Sequence, residues 1–373
     1  MDKKEIGLYI HIPFCAHKCD YCDFVSFSAK EDIIEKYINK LIDEIKSEKL
    51  EQYKIKTIYI GGGTPSFIKS KYIIEILKTV NKSDADEITI EVNPGTVTKE
   101  KLQDYYNVGI NRLSIGLQST KNSLLQEISR IHTFEQFLET YKLANEVGFQ
   151  NINVDLMIGL PNQKLENVQE SLEEVIKLKP KHISVYSLIL EPGTVLEKKV
   201  ATGILELPSE LEERKMYWLV KNTLEKAEFK HYEISNFAKK GFESKHNTDC
   251  WKQKEYIGVG LSAHSYMNKT RYSNTANLSK YLENFNQYRE IHEIQSKEDE
   301  QNEFMLLGLR KLEGVNIQEF KNKFILNPIY IYRKQLDKLA KNKLIEIDTN
   351  YIKLTNKGID LANLVWEEFV WII

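Results

Sequence analysis

Apolar residues along this chain fall into short continuous runs, and between the runs lie longer stretches with helical spacing. Leu8 to Ile12, Lys56 to Ile60, Glu87 to Val92, Arg112 to Leu117, Ile152 to Ile158 and His182 to Leu190 read as strands. Runs apolar at nearly every position belong to strands covered on both faces, as in parallel sheets. Between them, Asp32 to Leu50 carries Ile33, Ile34, Tyr37, Ile38, Leu41, Ile42 and Ile45 at helical intervals. Helices are likewise predicted over Lys69 to Val80, Lys99 to Tyr106, Phe134 to Val147 and Leu165 to Leu178. Six strand–helix units joined by short loops imply parallel pairing with right-handed crossovers, in a doubly wound sheet or a barrel.

The unusual residues choose between the two. The Cys15 to Cys22 loop, Gly61-Gly62-Gly63, Glu91, Gln118 and Asp155 stand at or near the C-terminal ends of successive predicted strands. Barrel strands gather those ends on one rim, whereas an open sheet strings them along an edge. The expectation is therefore α/β: a partial parallel (β/α)6 barrel of the TIM type over residues 1–240. The rhythm changes after about residue 205. A helix is expected over Leu211 to Glu228, a strand over His231 to Phe237, and a connecting segment over 241–300. Residues 301–373 read as helices, a small hairpin around Thr349-Asn350 and a last helix, a smaller C-terminal α+β domain of winged-helix type. Such modules often bind DNA, but Lys plus Arg number 52 against 54 Asp plus Glu. That balance favours packing or a protein partner, with no nucleic acid expected.

With 42% hydrophobic and 28% charged residues over 373 positions, the chain can bury a sizeable core. It has no signal-peptide core and no apolar run long enough to span a bilayer, so a cytoplasmic location is expected, with any membrane contact peripheral. Three of the four cysteines share one loop, which argues for metal chemistry and against a disulfide framework.

Cys15, Cys19 and Cys22, spaced by four and three, suit a loop that turns three thiolates toward one centre. Zinc would want a fourth ligand, which His11 or His17 could supply; a four-iron cluster held by three thiolates would keep one iron open to a small molecule. The glycines after the second strand lack the Gly-Lys-Ser/Thr of a phosphate loop and offer bare backbone for an amino-acid ligand. Glu91 and Asp155 lie within apolar strands, where an unpaired carboxylate is costly. They read either as buried partners of Arg112 or Arg130 or, together with Gln118 and Arg130, as groups for ribose hydroxyls and a charged amino acid.

Tyr9-Ile-His-Ile-Pro-Phe-Cys15, the Cys15/Cys19/Cys22 spacing, Gly61-Gly-Gly-Thr-Pro-Ser66, Glu91-Val-Asn-Pro-Gly95, Ser114-Ile-Gly-Leu-Gln118-Ser and Asp155-Leu-Met-Ile-Gly-Leu-Pro161 resemble the radical S-adenosylmethionine (SAM) superfamily. The branch is that of oxygen-independent coproporphyrinogen III oxidase. The resemblance implies a [4Fe-4S] cluster on the three cysteines, whose open iron takes the amino and carboxylate groups of SAM. In that superfamily, reduction of the cluster cleaves SAM to a 5′-deoxyadenosyl radical, and an electron donor is required. Carried over by position, Gly62, Gly63 and Thr64 would hold the methionine moiety and Glu91 the ribose. Tyr9, Gln118, Arg130 and Asp155 would line the SAM region.

Two departures move the expectation within that branch. The oxidase has a further cysteine two places after the third cluster cysteine, where this chain has Phe24, and a long extension ahead of its motif, where Cys15 is preceded by fourteen residues. Both features resemble the haem chaperones of the same branch. These carry His-Asn-x-x-Tyr-Trp, matched here by His246-Asn247-Thr248-Asp249-Cys250-Trp251 with Cys250 in place of Tyr. The resemblance implies haem as ligand and haem-dependent membrane or respiratory proteins as recipients; His246 reads either as a hydrogen-bonded histidine orienting its loop or as a haem contact, and Cys250, where the signature has Tyr, could substitute as a soft ligand. The alternative is the oxidase activity itself, decarboxylation of coproporphyrinogen propionates.

Overall fold

The computed structural model describes residues 3–370. Strands β1 (Lys4–Ile12), β2 (Tyr53–Gly62), β3 (Glu87–Val92), β4 (Arg112–Gln118), β5 (Asn151–Ile158) and β6 (His182–Ser187) pair in sequence order, all parallel. A doubly wound sheet reverses its strand order at a switch point. Here it never reverses, so right-handed crossovers stack α1 (Glu31–Ser47), α2 (Ser70–Lys78), α3 (Lys99–Asn107), α4 (Asn122–Glu127), α5 (Phe134–Val147) and α6 (Leu165–Lys177) on one face, and the sheet curls as a barrel does. The apolar runs read from the sequence form its wall: Leu8, Ile10, Ile58, Ile60, Ile90, Leu113, Ile115, Val154 and Ile183 have no exposed surface. Short α4, which the six-unit pattern passes over, lies between β4 and α5.

The barrel stays open. After α7 (Val195–Ala201) and α8 (Glu210–Lys226), the stretch expected as one strand splits into an antiparallel hairpin, β7 (Lys230–Glu233) and β8 (Asn236–Ala238), with β8 against β6. At the opposite edge, α9 (Lys245–Trp251) leads into β9 (Tyr256–Val259), which pairs parallel with β1. The sheet then continues through β10 (His264–Met267), β11 (Thr270–Ser273) and, after α10 (Leu278–Asn284), β12 (Glu290–Ile294), to make twelve strands.

These short strands have little apolar pattern of their own, and a buried polar network ties them to α1. Glu44, with no exposed surface, accepts hydrogen bonds from Gly260 N (2.9 Å), Asn274 Nδ2 (2.6 Å) and Tyr281 Oη (2.6 Å), and pairs with Arg289 at 3.2 Å. Tyr37 Oη donates to the His11 carbonyl at 2.7 Å and accepts from Leu261 N at 2.9 Å, joining the end of β1 to the same strands. A buried carboxylate left without such partners would cost several kcal/mol, so the network fixes this edge.

The C-terminal module comprises α11 (Lys297–Gly308), β13 (Val315–Asn316), α12 (Ile317–Phe324), α13 (Pro328–Ile331), α14 (Arg333–Lys341), β14 (Ile345–Ile347), β15 (Tyr351–Leu354), α15 (Asn356–Asp360) and α16 (Ala362–Glu367). Its three strands run in the order β13-β15-β14, the hairpin falling where the sequence places it. Among the described residues, no helix is long and apolar enough to cross a membrane.

Candidate functional site

The loop after β1 is held at several points. Cys15 N donates to the Phe27 carbonyl (3.1 Å) and Phe27 N to that of Pro13 (2.9 Å), closing the loop's base. Asp20 N bonds the Ile128 carbonyl at 3.3 Å, and the Asp20 carboxylate pairs with Lys199 at 2.6 Å. So fixed, Cys15, Cys19 and Cys22 line one pocket with Gly62, Gly63, Thr64, Glu91, Gln118, Arg130 and Asp155. Ten of the residues singled out from the sequence thus meet, because each lies late within a parallel strand or beyond its C-terminal end.

Two sulfurs already receive donors. Thr64 Oγ1 donates to Cys15 Sγ at 3.4 Å and Arg130 Nη1 to Cys19 Sγ at 3.6 Å. Burial pushes the Cys15 and Cys22 thiols up, which suits thiolates that a metal, not water, would stabilise. Among the described residues, no three His, Cys, Asp or Glu side chains converge closely enough to hold a single metal ion.

Arg130 is gripped by the Gly116 carbonyl (2.6 Å) and Asn93 Oδ1 (3.0 Å), while its Nε is buried without a partner among the described residues. Among the described residues neither Glu91 nor Asp155 forms the ion pair with Arg112 or Arg130 that one reading of the sequence expects; each is met by neutral donors. Glu91 accepts from Tyr59 Oη at 2.9 Å and Gly62 N at 3.2 Å. Asp155 accepts from Asn153 Nδ2 at 2.7 Å and Ser114 Oγ at 3.1 Å. Burial raises Glu91 to about 7, with the nearby Asp155 charge adding to the rise and the Tyr59 hydrogen bond opposing it. Gln118 ends β4 at φ 68°, a left-handed conformation costing a residue with a Cβ about 1 kcal/mol or more.

The glycine turn differs from the expectation in one respect. Its amide N–H groups are already used: Gly62 N by Glu91, Gly63 N by the Ile12 carbonyl (2.9 Å) and Thr64 N by the Phe14 carbonyl (2.8 Å). The Gly63 carbonyl accepts nothing among the described residues, so the turn offers a ligand an acceptor, suited to an ammonium group. Glycine is required in both places. A Cβ on Gly63 would lie 3.0 Å from the Ile12 carbonyl oxygen, and one on Gly62, at φ 111°, would strike the His11 ring at 2.5 Å.

Tyr9 and His246 are not in this pocket. They line a second cavity of ≈690 Å³, with His11, Asp23, Phe24, Val25, Tyr59, Gly62, Glu91, Asn247, Cys250, Trp251, Tyr256, Ser262 and His264. Phe24, Gly62 and Glu91 belong to both walls, so the two spaces share a partition. Phe24 is 62% exposed there. His246 is held by Thr57 Oγ1 at 2.9 Å and packs on the Tyr59 ring at 5.3 Å. Burial lifts the Cys250 thiol to about 12, so it is neutral near pH 7. The sequence reading passed over Tyr59, Asn93, Tyr256 and His264. A tyrosine inside the apolar run of β2 and an asparagine straight after β3 were signals for the first two; His264 follows a stretch without period and had none.

A family model described as the radical SAM superfamily matches residues 9–175, and one described as the HemN C-terminal domain matches 295–361. Over 99% of its length the chain is 38% identical to the heme chaperone HemW of Lactococcus lactis subsp. lactis strain IL1403, covering 98% of that protein. This chain belongs to the HemW family. It is also 37% identical to the Bacillus subtilis strain 168 heme chaperone HemW and 33% to that of Escherichia coli strain K12, over 97% and 98% of the chain and 98% of each relative. The solved structure of coproporphyrinogen III oxidase (HemN) from Escherichia coli, a radical SAM enzyme, superposes with a TM-score of 0.83 over 98% of this chain and 90% of its own. At 22% identity that likeness speaks for this chain's fold alone. The partial barrel and the smaller C-terminal domain are therefore shared architecture.

Proposed function

We propose that this protein is a haem chaperone: it holds haem in the ≈690 Å³ cavity, beside a thiol-lined pocket for a [4Fe-4S] cluster and SAM, and passes haem to haem-dependent proteins. The observation that carries the reading is the end-to-end similarity to proteins named heme chaperone HemW. Membrane-bound respiratory enzymes are the recipients we propose, with the cytoplasm as the site of loading and a separate protein as electron donor.

The residues fit each group. Three thiols line one pocket, the donor set of a four-iron cluster that leaves one iron open to a small molecule. Cys15, Cys19 and Cys22 would hold it. When bound, the cluster supplies one-electron reduction of the SAM sulfonium. The Gly63 carbonyl would accept from the SAM amino group, and Thr64 lies beside the Cys15 sulfur. Glu91, poised to be either protonated or ionised near neutrality, meets ribose hydroxyls as acceptor or donor, with Asp155 and Gln118 beside it. Tyr9 stands on the far side of Glu91, facing the larger cavity. The aromatic side chains of Tyr9, Phe24, Trp251 and Tyr256 give that cavity the flat apolar walls a porphyrin disc requires.

The test is anaerobic reconstitution with iron and sulfide, then haem titration, then incubation of reduced protein with SAM and coproporphyrinogen III. Iron, stoichiometric haem and no protoporphyrinogen IX are expected. Robust turnover of the porphyrinogen would replace the chaperone reading with the oxidase.

A further inference from the structure

Haem iron in the larger cavity needs a nitrogen or sulfur with an unused lone pair and open space in front of it for the porphyrin disc. Four side chains on the cavity wall carry such atoms: His11, His246, Cys250 and His264.

Two are committed elsewhere, and a third is hemmed in. His11 Nε2 lies 3.1 Å from the Val25 carbonyl, which can only accept, so Nε2 carries the proton; Nδ1 then accepts from Tyr9 Oη at 2.9 Å and no lone pair is left. The Cys250 thiol keeps its proton. His246 keeps Nε2 without a hydrogen-bond partner among the described residues, but the ring is 7% exposed, held at Nδ1 by Thr57 and packed on Tyr59. Its Cε1 edge is so close to Gly7 that a Cβ there would lie 3.3 Å away. A ring held in this way presents little of itself to a wide disc.

His264 has the open space as well. It opens β10 with its side chain exposed on the cavity wall, and neither ring nitrogen has a hydrogen-bond partner among the described residues. Its back is supported by the His292 ring, stacked at 5.3 Å and 21°, which is anchored by Ser273 Oγ at 2.7 Å from His292 Nε2. Partial burial, His292 and Arg271 all lower its proton affinity, keeping the imidazole neutral as a ligand must be.

Resting on the reading of this cavity as a haem site, we propose that His264 is the side chain that ligates haem iron. His246 is then a positioning residue. Through its contact with Tyr59, whose hydroxyl donates to Glu91, it orients the partition between the two cavities.

The test is titration of ferric haem into full-length protein, read by the Soret and visible bands. His264→Ala should shift the Soret band and weaken haem binding by at least about tenfold, the loss that even an outer partner of a metal ligand brings. Free imidazole added to that variant should restore the wild-type spectrum. His246→Ala should retain the wild-type band positions, whatever its affinity. If the wild-type chain takes up no stoichiometric haem, the haem reading fails. If it does, and His264→Ala keeps the wild-type bands or only His246→Ala loses them, the ligand assignment alone is overturned.

Discussion

The two neighbouring cavities are built on opposite plans. The thiol pocket draws its side chains from the ends of β1 to β5 and the loops beyond, all on one rim, and most are bonded to one another before any ligand arrives. The larger cavity shares β1 and β2 with it, but its outer wall comes from α9, β9 and β10, short pieces that join the sheet through a polar network around Glu44. One is a preorganised polar cage on a rigid scaffold; the other is an aromatic space closed by an appended edge. A pocket that must aim reacting groups gains from the first plan, and one that must take up and release a bulky ligand gains from the second.

Variants can separate the two plans. The largest effect is expected from Cys19→Ala: iron and sulfide after anaerobic reconstitution should fall to background, while haem affinity stays within about twofold, since no cysteine of the loop lines the larger cavity. A parallel loss of haem binding would mean the cavities are one site. Glu44→Ala should act the other way. Stripping the acceptor from Gly260, Asn274, Tyr281 and Arg289 should lower unfolding free energy by about 3 kcal/mol in urea titration and weaken haem binding, while reconstituted iron content at low temperature is retained.

Glu91→Gln tests the partition. The folded chain binds the Glu91 proton more tightly than the unfolded chain, since its value rises from 4.5 to about 7. This group's share of stability is therefore full at low pH, declines as pH rises through that window and is flat above it. The glutamine should remove that share of the slope and raise stability at pH 8, while SAM affinity by calorimetry falls about tenfold for one lost charge-assisted hydrogen bond. An unchanged slope would show that Glu91 is ionised throughout. The smallest effect is expected from Cys250→Ser, with haem spectra unchanged, because the thiol is held neutral by burial and takes no part in ligation. A displaced Soret band would return Cys250 to the ligand set.

What the sequence disclosed follows the same division. The parallel barrel was legible because each of its strands is an apolar run with a helix of clear period after it, and the cage because barrel topology turns scattered strand ends into neighbours. The bonding within the cage was not. That Glu91 is met by Tyr59 and Gly62, and not by an arginine, depends on the inward faces of β2 and β3 at a register no pattern specifies. The edge strands β9 to β12 were hidden because strands of four or five residues with polar positions show no usable period, and their anchor to Glu44 spans more than 200 residues of chain. His264 went unseen with them.

The shared partition has one more consequence, in the thermodynamics of loading. A ligand in the thiol pocket that favours the ionised or the protonated form of Glu91 changes the charge that the aromatic cavity presents to its own occupant, because the same carboxylate faces both. Linkage makes the effect mutual: the factor by which SAM alters affinity for haem must equal the factor by which haem alters affinity for SAM.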